Sequence, residues 1–421
     1  MDRRQFLQRL GASAVATAAW PLVRERGARA APPGRPRFYL QIIPQGGMDA
    51  IYTTDPKVVA EVDRGVDIPF AAQAIVESGA MRLGPSFRAL APWMTRLAVV
   101  NALRQNSANH LSGLAHVMRC KSAAPDGTPT LLDLLGARRE TATVATGAIS
   151  IGGGFTTAFS PKFLGAPSEV VFGARPGLLE HLDRADPEDL VEVAKALRRE
   201  AAPLRGARAS AAERTTADNL LASAELFARV ANTPKFAPTA WAHALEADYH
   251  NDRDLQRALW LFEHGLTRCV TVAIGNQDFD THLWNTTLQA PLCEYLAGLL
   301  DRLFGELDRR VVGGASLARQ TLVFVGSEIG RFPRLNAAHG KDHFPQAPCM
   351  LFGPGVVTGA SYGATGRDMA ALPVSLATGR PDRAGHSLRV DDLGTTLLAL
   401  DGANPELYGY TGEHLSFLTG T

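Results

Sequence analysis

Continuous runs of apolar residues alternate along this chain with longer stretches in which apolar residues recur with the period of an α-helix. The continuous runs are rich in β-branched and aromatic residues and end at turn-forming residues, which predicts buried strands. They cover residues 38–43, 97–103, 269–275, 321–325 and 348–352. The periodic stretches predict amphipathic helices over residues 109–120, 130–139, 288–312 and 393–400. Because strands and helices alternate, the pattern predicts an α/β fold built on a parallel sheet with flanking helices.

A different pattern occupies residues 155–257. Two long stretches rich in Ala, Leu, Arg and Glu, residues 175–205 and 209–231, carry apolar positions at helical spacing. Neither stretch contains a group of potential ligand side chains. We therefore expect a helical insertion in the sheet domain, or a helical cap on it, within a single domain that spans residues 31–421.

The first 30 residues have the order of a bacterial export signal. A twin-arginine pair, Arg3 and Arg4, precedes a weakly apolar stretch, and small residues close the segment at Ala28-Arg29-Ala30. The apolar stretch is shorter than the ~20 residues of a membrane-spanning helix. We predict a twin-arginine signal peptide, recognition by the twin-arginine translocase during export, and a periplasmic or secreted protein without a stable membrane span. The alternative is an amphipathic N-terminal helix of the fold itself.

Composition narrows the classes of protein that fit. Hydrophobic residues make up 46% of the 421 residues and charged residues 20%, which is typical of globular proteins and excludes an intrinsically disordered chain. The net charge is +1 and no basic block is present, so we expect no nucleic-acid partner. The four cysteines form no C-x-x-C pair, which argues against a zinc ribbon or a dense disulfide framework.

Acidic, histidine and amide side chains cluster where the predicted strands end. Five segments contribute them: Asp49; Asn109 and His110; Asp278, Asp280 and His282; Glu328 and Arg331; Asp342 and His343. In open α/β sheets ligands bind at the carboxyl ends of the strands, so we expect these side chains to share one pocket. Carboxylate oxygen and neutral imidazole nitrogen both bind Zn²⁺ and Mn²⁺, and a cation would relieve the repulsion among the acids. The sequence therefore predicts a site for one or two divalent metal ions.

Several of these candidates also have a purely structural interpretation. Asp49 follows two glycines and is a typical turn former, and Glu328 is placed to cap a following helix. Asp280 and His282 are two residues apart, so in an extended chain they point the same way. Asp278 is the alternative partner of His282, in a D-x-x-x-H arrangement, and the sequence does not separate the two.

The order of these motifs resembles the domain-of-unknown-function 1501 family. The segments that carry the resemblance, besides the twin-arginine start, are Gly46-Gly47-Met48-Asp49, Asp280-Thr281-His282, Ser327-Glu328-Ile329-Gly330-Arg331 and Gly340-Lys341-Asp342-His343. That family consists of exported bacterial proteins placed in the alkaline phosphatase and sulfatase superfamily. The resemblance implies an alkaline-phosphatase/sulfatase-like fold with a central, mostly parallel sheet. It also implies metal ligands of the kind found at Asp49, Asp280, His282, Glu328, Asp342 and His343.

The resemblance further places a nucleophile at the start of the helix that follows the second strand. Superfamily members carry Ser, Thr or a modified Cys there, whereas this chain has Asn109, and an amide cannot form the usual covalent ester intermediate. Ser107 or Ser112 would substitute if the register is shifted. Otherwise a metal-activated water would attack the ester directly, with Arg331 or His110 steadying the charge on the transferred group.

Two functions remain open from the sequence. The first is an exported metal-dependent hydrolase of phosphate or sulfate esters, with a small anionic ester as its substrate. The second is a non-catalytic metal- or anion-binding protein on the same scaffold, involved in envelope assembly or secretion, which the missing serine favours. An oxidoreductase has little support, because Gly152-Gly153-Gly154 lacks the G-x-G-x-x-G spacing of dinucleotide sites. The weak candidates for a further histidine ligand are His339 and His386.

Overall fold

The computed structural model describes residues 34–123, 128–137, 146–151, 184–241 and 251–420. The signal peptide proposed for residues 1–30 and the glycine run at residues 152–154 lie outside the described residues. Within the described part of the chain, no helix combines the length and the apolar composition needed to cross a membrane. The division into a single domain with a helical insertion stays a prediction.

Seven strands of the described residues form one central sheet. In chain order they are β1 (Phe38–Pro44), β2 (Leu97–Arg104), β3 (Thr146–Ile151), β4 (Thr267–Ile274), β5 (Thr321–Gly326), β6 (Gln346–Phe352) and β7 (Ala360–Tyr362). Their order across the sheet is β7-β2-β6-β5-β1-β4-β3. Among these seven, β6 runs antiparallel to its neighbours β2 and β5, and every other pairing is parallel. The predicted α/β fold with a mostly parallel sheet is confirmed.

Helices flank this sheet. They are α1 (His110–Arg119), α2 (Leu131–Ala137), α3 (Pro187–Ala201), α4 (Ala211–Ala231), α5 (Asn251–Glu263), α6 (Asn285–Arg309), α7 (Val390–Leu400) and α8 (Ser416–Thr419). The four helices predicted from periodicity outside the insertion are confirmed as α1, α2, α6 and α7. Helices α3 and α4 lie in the segment predicted as an insertion, and they pack on each other through Leu190, Ala194, Ala224 and Phe227.

Both faces of the sheet are covered, which explains why its central strands are continuously apolar. Phe38, Leu40 and Ile42 of β1 point to one face, where α5 and α6 pack. Tyr39 of the same strand points to the other face, where α2 and α7 pack. Every residue of β1 and β4 is buried. All four cysteines of the chain are also buried, and none forms a disulfide.

The elements that the pattern did not predict include three that adjoin the central sheet. Strands β3 and β7 are the two edges of the sheet, where a strand needs only one neighbour and short sequences suffice. The third is a run of 3-10 helical turns over Pro85–Arg96, which ends directly before β2. Their sequences are short or interrupted by Gly and Pro, so neither the strand nor the helix period is sustained.

A buried ion pair joins β4 to the residue that ends α7. Arg268 Nη2 lies 2.7 Å from Asp401 Oδ1, and both side chains are fully buried. Tyr39 donates to the same oxygen at 3.0 Å, and Arg35 Nη2 lies 3.2 Å from the other. Because a buried charge is stable only when it is paired, these contacts fix the position of α7 on the sheet.

Candidate metal centre

The candidate site lies at the edge of the sheet where the parallel strands end. The segments after β1, β4 and β5 leave the sheet there, and α1 begins there after β2. Because β6 runs the opposite way, it starts at this edge, directly after the short strand His343–Phe344. Five segments that are far apart in the chain therefore meet at one place.

Two glycines allow the segments to approach one another. Gly46, with a φ of +112°, lies so close to the backbone nitrogen of Asp280 that a β-carbon would overlap it. Gly113 on α1 faces the backbone oxygen of Glu328 in the same way. A larger residue at either position would force the segments apart, and at Gly46 it would also have to adopt a left-handed backbone.

Asp280 is the hub of the site. Its Oδ1 lies 2.6 Å from Arg331 Nη2, 3.1 Å from His282 Nε2 and 3.2 Å from His343 Nε2. Its Oδ2 lies 3.3 Å from His110 Nε2. The Nε2 atoms of His282 and His343 are themselves 2.9 Å apart. Three imidazole nitrogens thus converge on one carboxylate.

Each of these histidines turns its other ring nitrogen, Nδ1, towards an oxygen acceptor. The contacts are His110 to Glu328 Oε1 at 2.8 Å, His282 to Asp342 Oδ1 at 3.2 Å, and His343 to the backbone oxygen of Ala108 at 2.7 Å. A proton on Nδ1 in each contact leaves Nε2 with a free electron pair. Metal-binding histidines and their outer hydrogen-bond partners have this arrangement.

A divalent cation fits these donors. One ligand atom each of His110, Asp280 and His343 lies within 4.8 Å of the other two, so small side-chain shifts would let them share one ion with bonds of about 2 Å. The Nε2 of His110 is buried and makes no hydrogen bond of acceptable geometry, although Asp280 faces it. A buried nitrogen of this kind calls for a partner. Imidazoles and a carboxylate, with His282 as a further neighbour, are a donor set for Zn²⁺ or Mn²⁺.

The electrostatics of the cluster also favour a cation. Burial disfavours a charged imidazole, but the nearby carboxylates of Asp280 and Glu328 outweigh burial and raise the pKa of His110 to about 9. Burial likewise opposes a charge on Asp280, yet His110 and Arg331 hold the pKa of that carboxyl below its usual range. Two carboxylates thus bias the pocket towards positive charge, and a bound metal ion would take the place of the proton on His110.

A comparison with models of protein families shows which family the chain belongs to. The family model described as "Protein of unknown function (DUF1501)" matches residues 39–417. The chain belongs to the DUF1501 family. The resemblance predicted from the motifs is confirmed by this match. No curated protein matches the sequence.

Several solved structures are similar to this DUF1501 chain at a low level. The lipoteichoic acid synthase LtaP from Listeria monocytogenes is 9% identical with a TM-score of 0.43, and the match covers 92% of this chain and 77% of that chain. The sulfatase PsFucS1 from Pseudoalteromonas sp. is 12% identical with a TM-score of 0.41, over 92% and 72% of the two chains. A protein in the alkaline phosphatase superfamily from Vibrio parahaemolyticus is 11% identical with a TM-score of 0.38, over 99% and 79%. All three TM-scores lie below 0.5. We therefore infer the chemistry of the site from its own side chains and not from these structures.

The predicted metal ligands Asp280, His282 and His343 all lie in the convergence itself. The third histidine is His110, which the sequence indicated as a catalytic residue and not as a ligand. The position of His110 in the sequence could have indicated this role, because His110 begins the helix that follows the carboxyl end of β2. The assignment of these residues as metal ligands stays a prediction.

Glu328 and Asp342, also predicted as ligands, face an imidazole Nδ1 and not the convergence. Glu328 is buried; its Oε1 accepts from the Gly46 N–H at 2.7 Å and its Oε2 accepts from Ser327 at 3.0 Å. The helix-capping alternative for Glu328 is wrong, because the strand Gly330–Arg331 follows it. Both carboxylates are therefore placed to orient a histidine.

Asp49 lies in a separate buried ion pair. Its Oδ2 is 2.8 Å from Nζ of Lys341, and its Oδ1 accepts from the Ile51 N–H at 3.0 Å, as a turn former does. Lys341 is fully buried and also lies 3.4 Å from Asp67 Oδ2. The lysine supplies Asp49 with a positive partner from within the protein. The donors that remain favour one metal position over two.

The start of α1, where the resemblance expects a nucleophile, is a helix cap. The Oδ1 of Asn109 accepts from the backbone N–H groups of Leu111 and Ser112 at 2.9 and 3.3 Å. The hydroxyl oxygens of Ser107 and Ser112 lie 2.5 Å apart beside it. Asn109 thus has a structural role that accounts for its residue type.

Arg331 is held by the protein. Its guanidinium donates to Asp280 and to the backbone oxygens of Gly46, Gly47 and Lys341. The side chain is completely buried. These bonds use four of the five N–H groups of the guanidinium and suit Arg331 to positioning the Asp280 carboxylate.

The structure shows which of Asp278 and Asp280 contacts His282. Asp278 accepts from the backbone N–H of Asn276 at 2.7 Å, within its own turn, whereas Asp280 contacts His282. The chain between Asp280 and His282 is not extended, because the His282 N–H donates to the Asp280 backbone oxygen at 3.0 Å. The two side chains meet through a tight turn.

His339 and His386, the weak candidates for a further ligand, have other partners. The His339 ring stacks on Trp284, with ring centres 5.7 Å apart. His386 Nε2 lies 2.8 Å from Asp392 Oδ2, at the start of α7.

Proposed function

We propose that this DUF1501 chain is an exported protein that binds one divalent cation, Zn²⁺ or Mn²⁺, and hydrolyses a small phosphate or sulfate ester at that site. One observation supports the proposal above all: three Nε2 atoms converge on Asp280 while each Nδ1 faces an oxygen acceptor. A bound cation would supply the positive charge that polarises an ester oxygen. The twin-arginine translocase would be a partner during export.

The side chains have distinct roles in this proposal. His110, Asp280 and His343 would hold the ion, because their ligand atoms share one small volume. The side chain of His282 is 41% exposed, whereas those of His110 and His343 are more buried. The substrate would therefore approach the ion from the side on which His282 lies. Arg331 would keep Asp280 in place from behind.

A non-catalytic metal- or anion-binding protein on the same scaffold, with a role in envelope assembly or secretion, is the second candidate. The cap at the start of α1 favours it, because the side chain at the expected nucleophile position is the amide of Asn109. In the hydrolase, by contrast, water would have to be the nucleophile.

The test uses the full chain purified from the periplasm. Elemental analysis should find about one Zn or Mn per chain, and aryl phosphate or aryl sulfate should be hydrolysed. Asp280→Asn should lose both the metal and the turnover. Asp278→Asn is the matched control, since it lies two residues away in a turn that Asn also forms.

The outcomes separate the two candidates. Bound metal without turnover on a broad panel of esters would support the binding protein. Absence of tightly bound metal in the unaltered chain would contradict the hydrolase and the metal-binding form of the second candidate.

A further inference from the structure

The metal centre is bordered by exposed apolar side chains. Among the described residues, eleven large apolar side chains are exposed, and six of them lie on the segments that carry the site residues. We call these six the apolar rim: Leu111, Leu283, Trp284, Leu288, Phe332 and Leu335. Leu111 follows His110, the next three follow His282, and the last two follow Arg331. Exposed apolar patches beside a polar site mark binding surfaces.

Backbone contacts tie the rim segments that follow His282 and Arg331 to each other. Leu283 pairs with His339 in an antiparallel bridge. Phe332 donates its backbone N–H to the backbone oxygen of Asp342 at 2.7 Å. These contacts, and the pairing of Arg331 with His343 in a short antiparallel ladder, place the rim residues after His282 and Arg331 beside His282, Asp342 and His343.

Two aromatic rings are held in fixed positions on this surface. Trp284 is 60% exposed, and its ring stacks on His339 at an angle of 16°. Both residues have a positive φ, +52° and +58°, which non-glycine residues seldom adopt. Phe332 packs edge-on against Phe344, with ring centres 5.6 Å apart. The fold therefore presents these rings to solvent beside the site.

We propose that the apolar rim binds the apolar body of the substrate, so that the substrate is an alkyl or aryl ester of phosphate or sulfate. This inference rests on the proposed function, because the metal centre is what would bind the anionic head. The two surfaces are complementary to the two ends of such a molecule. Leucine side chains gain nothing from sugar hydroxyls, which would lose water on this surface, whereas a hydrocarbon gains from burial there.

A series of phosphate monoesters tests the rim directly. Ethyl, butyl, hexyl and octyl phosphate are titrated by calorimetry into the zinc-loaded full chain, which measures binding without requiring turnover. Complete burial of a CH₂ group strengthens binding about fourfold, so half burial on an open surface gives about twofold per CH₂ and about 60-fold across the series. Trp284→Ser and Phe332→Ser should each flatten this trend. Leu407→Ser, an exposed apolar position outside the rim, should not.

Each result decides between the readings. Equal affinity for all four phosphates would overturn the inference. So would an unchanged chain-length trend in Trp284→Ser and Phe332→Ser, provided that both variants have the circular dichroism spectrum of the unaltered chain. Tighter binding of a sugar phosphate than of octyl phosphate would also overturn it. A chain-length trend without hydrolysis of any ester would support the rim and contradict the proposed hydrolase. Hydrolysis without a chain-length trend would leave the hydrolase standing and remove the rim.

Discussion

Replacing Glu328 by Gln distinguishes a residue that binds the metal ion from one that orients a ligand. The substitution keeps the size and shape of the side chain but removes its charge. Oε1 of Glu328 lies 2.8 Å from His110 Nδ1 and 2.7 Å from the Gly46 N–H. A neutral amide holds the imidazole N–H less strongly than a carboxylate does. We therefore expect Glu328→Gln to weaken zinc binding without abolishing it.

The expected loss of zinc affinity differs between a residue that orients a ligand and a residue that binds the ion. Loss of an outer partner lowers metal affinity about 10- to 100-fold. Structural zinc sites with four ligands bind with roughly 10 to 16 kcal/mol, so one ligand contributes roughly 2.5 to 4 kcal/mol. At about 1.4 kcal/mol per tenfold, that is about 60- to 700-fold. We expect His110→Ala to fall in this larger range and Glu328→Gln in the smaller one.

Competition with a chelating dye, at one pH and with the full chain, measures both affinities. Glu306→Gln is the control, because this residue also pairs with arginines but lies near the far end of α6. At a rise of 1.5 Å per residue, that is about 30 Å from the site. If Glu328→Gln loses as much affinity as His110→Ala, Glu328 is a direct ligand. If its affinity is unchanged, the contact with His110 does not orient the histidine.

The remaining predictions concern stability. Lys341→Met should lower the free energy of unfolding by about 3–5 kcal/mol in urea titrations, because it leaves Asp49 buried without its cation. Arg268→Met should cost less than Lys341→Met, because Asp401 keeps Arg35 as a cationic partner; a loss below about 1 kcal/mol in either variant contradicts the pairing. Asn109→Ala should cost about 1 kcal/mol as a lost cap and leave the zinc content unchanged; loss of zinc would contradict the capping role. Removing the metal with a chelator should lower stability by about 2.7 kcal/mol relative to metal at 100 times its Kd, measured by thermal denaturation; an unchanged melting temperature argues against a bound ion.

The core strands could be predicted because burial on both faces of a parallel sheet leaves an unbroken apolar run. This holds for β1, β4 and β5, in which every residue is buried. It does not hold for β3 and β7, because an edge strand makes hydrogen bonds on one side only and needs no long apolar run. Their pairing depends on neighbours that lie elsewhere in the chain.

The candidate site could be predicted as a set of residue types at strand ends, but not as a set of partners. His110 and Glu328 are 218 residues apart, and Asp49 and Lys341 are 292 apart. Local sequence carries no information on which carboxylate faces which cation over such separations. For this reason the sequence treats Asp49, Glu328 and Asp280 as equivalent acids, whereas the fold gives each a different neighbour.

The reversed direction of β6 makes the proposed metal site depend on completion of the fold. It returns His343 to the same edge as His110 and Asp280, so the three donors meet only after the ribosome has passed residue 343 and β6 has inserted between β2 and β5. A nascent fragment that ends before residue 343 lacks one donor. Zinc occupancy would therefore report the finished tertiary structure and not the folding of any local segment.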